Sequence, residues 1–66
     1  MKLDISQLSK RENEIMKLMI SNKKCAEMSK SLFISINTVK VHRKRVLRKL
    51  GCSDVNELII KYFNLE

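Results

Sequence analysis

The chain has 66 residues, of which 44% are hydrophobic and 32% are charged, and its formal net charge is +7 at pH 7. A chain this short forms one domain with a small core, since folding buries only about 60% of the surface of the unfolded chain. No apolar run approaches the roughly 20 residues that span a bilayer, and the N-terminus lacks the apolar stretch of a secretory signal. These properties predict a single cytoplasmic domain over residues 1–66, with no membrane segment.

The cysteines and the histidine do not indicate a disulfide, a metal site or a catalytic site. Cys25 and Cys52 are the two cysteines, and His42 is the single histidine. Their spacing matches neither a disulfide framework nor a zinc site, so we expect both thiols to be reduced and partly buried. The sequence also has no nucleophile paired with a base, no glycine-rich phosphate loop and no acidic metal cluster. We therefore expect no enzyme activity, no cofactor and no metal.

The positive charge is concentrated in one part of the chain. No acidic residue occurs between Met28 and Ser53. The same stretch holds seven cations, namely Lys30, Lys40, Arg43, Lys44, Arg45, Arg48 and Lys49. A focused positive surface attracts a polyanion, which indicates nucleic acid as a partner. The alternative is a solvated basic face, although repulsion between these cations lowers stability unless a counter-charge is present.

Helical spacing of the apolar residues, with no proline and one glycine, predicts an all-α fold. Ser9 and Glu12 have the spacing of a capping box at the start of a first helix, which we place at residues 9–21. Asn22 can end this helix because asparagine tolerates a left-handed backbone. A second, shorter helix is expected at residues 24–32. Two apolar residues after it are expected to be buried, namely Phe33 and Ile34.

A third helix is expected at residues 36–50, with Ser35 as its N-cap and Gly51 as its C-cap. Projected around the helix, its core-facing residues are Ile36, Val39, Val46, Leu47 and Leu50. The opposite side is basic. A fourth helix is expected at residues 54–63. The short helix, three-residue turn and long helix indicate a helix-turn-helix, whose second helix enters the major groove of DNA.

Four segments resemble one known family when they are taken together. They are Leu8-Ser9-Lys10-Arg11-Glu12, Leu32-Phe33-Ile34-Ser35, Thr38-Val39-Lys40-Val41-His42 and Lys49-Leu50-Gly51. In this order and spacing they look like the LuxR/FixJ/NarL effector domain, also called the GerE type, over about residues 8–62. The resemblance implies a four-helix bundle that binds promoter DNA as a dimer and regulates transcription, commonly as the C-terminal output domain of a response regulator or quorum sensor.

The resemblance also implies roles for individual residues. Lys40, Val41 and Lys44 correspond to the family's base-reading positions, and lysine suits guanine N7 and O6 while valine suits a thymine methyl. We assign five further residues to phosphate, namely Thr38, Arg45, Arg48, Lys49 and Lys24. A family lysine is missing from the second helix; Lys23, Lys24 or Lys30 is expected to substitute for it, and we assign Lys24.

The chain departs from the family pattern at several positions. Arg43 stands where the family often has an aliphatic side chain, so we expect its stem to pack while its charged head reaches solvent. Val55 replaces a common arginine, and Asn22 replaces the usual glycine. His42 lies between the core arc and the basic face, and we expect it to be structural or to lie beside a phosphate.

The fourth helix carries more apolar residues than one core-facing stripe needs. Ile60 and Phe63 fall off the stripe and should be partly exposed in a monomer. Packing of the chain end against the first helix would explain this excess, and so would a symmetric dimer contact. The family resemblance favours a homodimer through the fourth helix, with the contact made by Val55, Ile59, Ile60 and Phe63.

Two rival functions stay open at this point. One is a protein-interaction module that uses the basic helix on an acidic partner. The other is non-specific binding of nucleic acid such as RNA, although aromatic side chains for base stacking are scarce. The favoured interpretation is sequence-specific binding of double-stranded DNA, with RNA polymerase as a further partner.

Overall fold

The computed structural model describes residues 4–63, so the two ends of the predicted domain, positions 1–3 and 64–66, lie outside the described residues. The described part contains four α-helices and one 3-10 turn, and no strand. These elements are the 3-10 turn Ile5–Gln7, α1 (Lys10–Ile20), α2 (Cys25–Leu32), α3 (Ile36–Leu50) and α4 (Val55–Phe63). The all-α prediction is confirmed, and each helix begins and ends within one residue of its predicted bounds. The 3-10 turn was not predicted.

The first helix begins at the predicted capping box. The amide of Glu12 donates to Ser9 Oγ at 3.1 Å, and the amide of Ser9 donates to Glu12 Oε1 at 2.9 Å. These two bonds satisfy donors that a helix start leaves free. After α1 the chain turns at Asn22, whose φ of 62° lies in the left-handed region that asparagine tolerates.

The turn between α2 and α3 is fixed by hydrogen bonds from both sides. The amide of Ile34 donates to the Ser29 carbonyl at 3.2 Å, and the Ser29 hydroxyl donates to the Ile34 carbonyl at 2.7 Å. Ser35 then caps α3, because its Oγ accepts from the amide of Thr38 at 3.1 Å. The two helices therefore form a rigid pair with a three-residue turn, which is the arrangement of a helix-turn-helix.

One residue of this turn does not lie where the sequence indicated. Phe33 was expected to be buried beside Ile34, but it is 93% exposed. It is the C-cap of α2 and has a left-handed backbone with φ of 58°. This conformation ends the helix and returns the chain toward the core one residue later, so that Ile34, which is half-buried, packs against the core instead.

The core lies where α3 crosses the other helices. α1 packs on both α3 and α4, while α2 packs mainly on α3. The buried hydrophobic residues of the core are Ile15, Met16, Met19, Met28, Val39, Val46, Leu50, Cys52 and Leu58. Most of the predicted arc of α3 is therefore in the core, with Leu47 half-buried at its edge. Ile36, in the first turn of α3, is the exception, since it is 44% exposed.

The end of α3 and the burial of the two cysteines agree with the sequence-based expectations. Gly51 ends α3 with φ of 68°, as expected for a glycine C-cap. Cys52 is buried and Cys25 half-buried, and burial raises the pKa of the Cys52 thiol. None of the helices among residues 4–63 has the length and apolar content that crossing a membrane requires.

Candidate nucleic-acid interface

The side of α3 that faces away from the core carries the three residues that were expected to read bases. Lys40, Val41 and Lys44 are all exposed, and Val41 keeps 48% of its surface accessible. Within residues 4–63 their side chains make no hydrogen bond or ion pair. Buried residues of the same helix hold the backbone in place, so these three side chains are presented on a fixed support and are free to meet a ligand.

Four of the five expected phosphate contacts are exposed without a strong internal partner. Arg45 and Arg48 lie on α3 and make no ion pair in the described part of the chain. The Thr38 hydroxyl lies 2.9 Å from Ser35 Oγ at the helix start. Lys24 is the N-cap residue of α2, where its amide donates to Glu27 Oε1 at 2.9 Å while its side chain is exposed. Arg45 and Arg48 lie beside Lys49 on α3, whereas Lys24 lies beside Cys25 and Arg43 at the start of α2.

The fifth expected phosphate contact, Lys49, already has a partner inside the protein. Its Nζ donates to Glu12 Oε1 at 2.7 Å and to the Gln7 carbonyl at 3.4 Å. Glu12 is 4% exposed. The hydrogen bond from Lys49 and the backbone hydrogen bond from Ser9 lower the pKa of Glu12 to about 2, so the carboxylate stays charged at neutral pH. The charge of Lys49 is thus largely balanced before any DNA arrives.

The other ion pairs lie away from the exposed side of α3. Arg11 pairs with Glu14 within α1, and Lys61 pairs with Glu57 within α4. Beside α3, Arg45, Arg48, Lys49 and the buried Glu12 line a shallow cleft of about 340 Å³. The described residues therefore leave Lys40, Lys44, Arg45 and Arg48 unneutralised on one surface, and like charges this close gain stability from a polyanion.

The charged head of Arg43 lies elsewhere than expected. It was expected to reach solvent, but its Nη1 donates to Cys25 Sγ at 3.3 Å at the start of α2. The residue is half-buried, and its Nε is buried without a hydrogen-bond partner in the described structure. Arg43 therefore ties α3 to α2 and is directed away from the exposed basic side. His42 is half-buried as well, with a buried Nδ1, which leaves its expected role a prediction.

The last helix has the exposure that its sequence predicted. Ile60 is 65% exposed and Phe63 is 61% exposed, while Val55 and Ile59 are half-buried. The ring of Phe63 meets that of Tyr62 edge to face, with 5.1 Å between the centroids. The predicted dimer residues thus form an apolar surface on α4, which packs on α1 and α3 rather than beside the turn of the helix pair.

Sequence reasoning missed two residues of this region. Glu12 was assigned only to the cap of α1, and its bond to Lys49 joins positions that are 37 apart in the chain, which no local pattern reveals. Asn37 was left without a role, yet it is exposed on the first turn of α3. The residue type alone could have indicated a base contact, because asparagine is a common partner of adenine in the major groove.

Comparison with known proteins agrees with this geometry. The chain matches the profile of the bacterial regulatory proteins of the luxR family over residues 6–62. It is 31% identical over 58 residues to the spore germination protein GerE of Bacillus subtilis (strain 168), covering 88% of this chain and 78% of that protein. It is 38% identical over 52 residues to the oxygen regulatory protein NreC of Staphylococcus aureus (strain JH9), covering 79% of this chain and 24% of that protein. No solved structure matches the chain significantly.

The profile match extends over nearly all of the described residues and includes α1, α2, α3 and all but the last residue of α4. It confirms the family that the four sequence segments indicated, together with the helix-turn-helix fold. The chain belongs to the LuxR family of bacterial regulatory proteins, and its helix-turn-helix is a DNA-binding domain of the kind that regulates transcription.

Proposed function

We propose that the chain reads one particular sequence of double-stranded DNA by placing the N-terminal half of α3 in the major groove. The observation that carries this proposal is the exposed row Lys40, Val41 and Lys44, whose side chains have no partner within residues 4–63. The two lysines offer donors to guanine N7 and O6, and Val41 offers an apolar surface to a thymine methyl. These three residues would supply the sequence preference.

The residues around this row would hold the phosphates. Arg45 and Arg48 are exposed and unpaired in the described structure, which supports direct contacts with the DNA backbone. Thr38 and Lys24 would add contacts at the starts of α3 and α2. Lys49 stays in this set, but it would contribute less than its neighbours, because Glu12 already balances its charge.

Dimerisation through α4 would let two copies read related half-sites. The support is the apolar surface at Ile60 and Phe63, with Val55 and Ile59 at its edge. A symmetric contact between two such surfaces removes apolar area from water on both copies. RNA polymerase would then meet the dimer at the promoter in the bacterial cytoplasm.

The chain would serve as the DNA-binding output of a regulator. Its alignment with about a quarter of NreC supports this role, because the matched segment there is one part of a longer protein. Its alignment with most of GerE shows that a comparable segment also makes up most of a small protein. In both cases the proposed act of this chain is the same, namely binding a promoter sequence.

The test is selection of binding sites from a random duplex pool, followed by titration of the winner and of a scrambled duplex at two salt concentrations. We expect a pseudo-palindromic winner that binds well above the scrambled duplex, with affinity that falls steeply as salt rises. Equal binding to both duplexes would contradict the proposal and would favour an acidic protein as the partner of the basic face.

Two variants sharpen this test. Lys44→Ala should weaken binding to the selected site by about 1–3 kcal/mol and reduce discrimination at one position, if Lys44 bonds a base. Lys17→Ala is the matched control, because Lys17 is an exposed lysine on α1 that lies outside the proposed interface. Equal effects of the two substitutions on every duplex would remove the base-reading role of Lys44.

A further inference from the structure

Three exposed apolar residues lie within the helix-turn-helix, with Ile36 and Val41 on different sides of α3. Phe33 lies in the turn, Ile36 at the start of α3, and Val41 one turn and a half further along. Among the described residues, the other exposed large apolar side chains are Ile5 in the 3-10 turn and Ile60 and Phe63 on α4. Because α2 packs mainly on α3 while α4 packs on α1 and α3, the apolar surface on α4 does not explain the exposure of Phe33.

Phe33 is unfavourable in its present position for two independent reasons. Its φ of 58° and ψ of 43° are left-handed, a conformation that glycine adopts without strain and that a phenylalanine adopts only at a cost. Its ring is also almost fully in water, so that no burial within the chain offsets this cost. Intramolecular packing does not account for a phenyl ring here, and a strained exposed residue of this kind points to a contact outside the chain.

The charge around the turn identifies the occupant. The stretch from Met28 to Ser53 has no acidic residue, and exposed lysines flank the turn at Lys30 and Lys40. A polyanion fits this environment better than a second copy of this basic domain. Phe33 also lies two residues before Ser35, the N-cap of α3, and the start of a recognition helix is the part that enters the major groove. The apolar groups available there are the methyl groups of thymine.

We propose that Phe33, supported by Ile36, contacts a thymine methyl group at the edge of the site that Lys40, Val41 and Lys44 read. The proposal rests on the proposed function and adds a fourth position of sequence preference to it. Phe33 contributes apolar contact only, so it favours thymine over any base that lacks the 5-methyl group, and it donates no hydrogen bond.

The experiment uses the whole chain and its selected duplex, in which each thymine is replaced in turn by deoxyuridine, which lacks only the methyl group. The proteins are the wild type, Phe33→Ala and Phe33→Gly. Besides the thymine that Val41 reads, we expect one further position where deoxyuridine lowers wild-type affinity by roughly fourfold, which corresponds to burial of about one methyl group. At that position both variants should bind the thymine and deoxyuridine duplexes equally.

Two controls separate this result from other causes. Phe33→Gly suits the left-handed backbone, so it should fold at least as stably as the wild type, and loss of affinity in it cannot be ascribed to unfolding. Val41→Ala should lose its response to deoxyuridine at a different thymine. If the Phe33 and Val41 variants lose their response to deoxyuridine at the same thymine, Phe33 has no separate role.

The proposal is also overturned if the wild type and both Phe33 variants respond identically to deoxyuridine at every position. A Phe33→Ala protein that binds DNA normally but no longer activates transcription with purified RNA polymerase would assign the ring to a protein partner instead. Failure of the proposed function has a different signature, because the wild type would then show no preference for the selected duplex over the scrambled one.

Discussion

The Nζ atom of Lys49 lies 2.7 Å from Oε1 of Glu12, and this bond joins the last turn of α3 to the first turn of α1. The other two ion pairs among residues 4–63 each lie within one helix. The same Glu12 oxygen also accepts from the Ser9 amide, so one carboxylate both caps α1 and holds the recognition helix. The orientation of α3 therefore depends on the start of α1.

This pair predicts an order of stabilities. Lys49→Met should lower the midpoint of thermal unfolding more than Glu12→Gln does, because it leaves a buried carboxylate without its cation. Glutamine at position 12 can still accept from the Ser9 amide, while Lys49 turns to solvent. The double variant should be more stable than Lys49→Met alone. Circular dichroism of the three proteins measures this, with Lys44→Met, an exposed and unpaired lysine, as the control.

A second prediction concerns the salt dependence of DNA binding. Each phosphate contact that is lost should reduce the slope of log affinity against log salt by about 0.9. Arg48→Gln should show this reduction, whereas Lys49→Gln should show a smaller one, because Lys49 is balanced by Glu12 in the free protein. Fluorescence titrations at four or more salt concentrations give the slopes. Equal reductions would mean that Lys49 leaves Glu12 when DNA binds.

Acid should destabilise the domain through two carboxylates. The pKa of Glu12 and that of Glu57 are both lowered to about 2 from their ordinary value of 4.5. For Glu57 the main cause is the Ser53 amide, followed by Lys61. Since the unfolded chain binds protons at a higher pH than the folded one, the stability that these groups contribute is present above about pH 4.5 and is lost between there and pH 2.

The measurement is the midpoint of urea unfolding from pH 7 to pH 2. The wild type should lose stability as the pH falls through this window, and the loss should be smaller in Glu12→Gln and Glu57→Gln. Glu14→Gln serves as the control for removing one acid from the surface of α1. A wild type that unfolds at the same urea concentration throughout would show that the two carboxylates are not held in the folded state.

The left-handed residues at two helix ends predict opposite effects. Gly51→Ala should destabilise the domain by about 1 kcal/mol through backbone strain alone, because a Cβ at Gly51 would meet nothing within 4 Å. Asn22→Gly should be neutral or mildly stabilising, since glycine adopts the same φ with less strain. Chemical denaturation of both variants measures the two changes. A Gly51→Ala protein as stable as the wild type would contradict the role of Gly51 as a cap.

The proposed dimer contact can be separated from folding. Ile60→Lys changes an exposed residue, so monomer stability should change by no more than about 0.5 kcal/mol. Binding to a two-half-site duplex should nevertheless weaken, while binding to a single half-site should be unchanged. Ser21→Lys is the control, because it adds the same charge at an exposed position at the end of α1, outside the proposed contact. Analytical ultracentrifugation with each duplex counts the bound copies.

Local chemistry explains why most of the fold was predictable. The caps at Ser9, Ser35 and Gly51 use short-range spacing, and each bounds a helix where the sequence indicated. The core arc of α3 was predictable for the same reason, because helical periodicity alone puts Val39 and Val46 on one side.

The errors arose where the position of a side chain depends on the conformation of a turn or on tertiary structure. Phe33 was expected to be buried because it is large and apolar, but the left-handed cap turned it outward. Arg43 was expected to reach solvent, and it instead meets Cys25, 18 positions earlier in the chain. The bond of Lys49 to Glu12 is likewise non-local. Charge and spacing predicted which face of α3 is basic, but not which cation on it is already paired.

The separation between supporting and reading residues on α3 also bears on how such regulators diverge. Val39, Val46 and Leu50 hold the helix in the core, whereas Lys40 and Lys44 make no bond to the rest of the described chain. Substitutions at the reading positions therefore have little effect on stability, and gene duplicates can acquire new operators by changing a few side chains. Mutation at the supporting positions instead destabilises the fold, so a variant is lost before any change in its DNA preference can be selected.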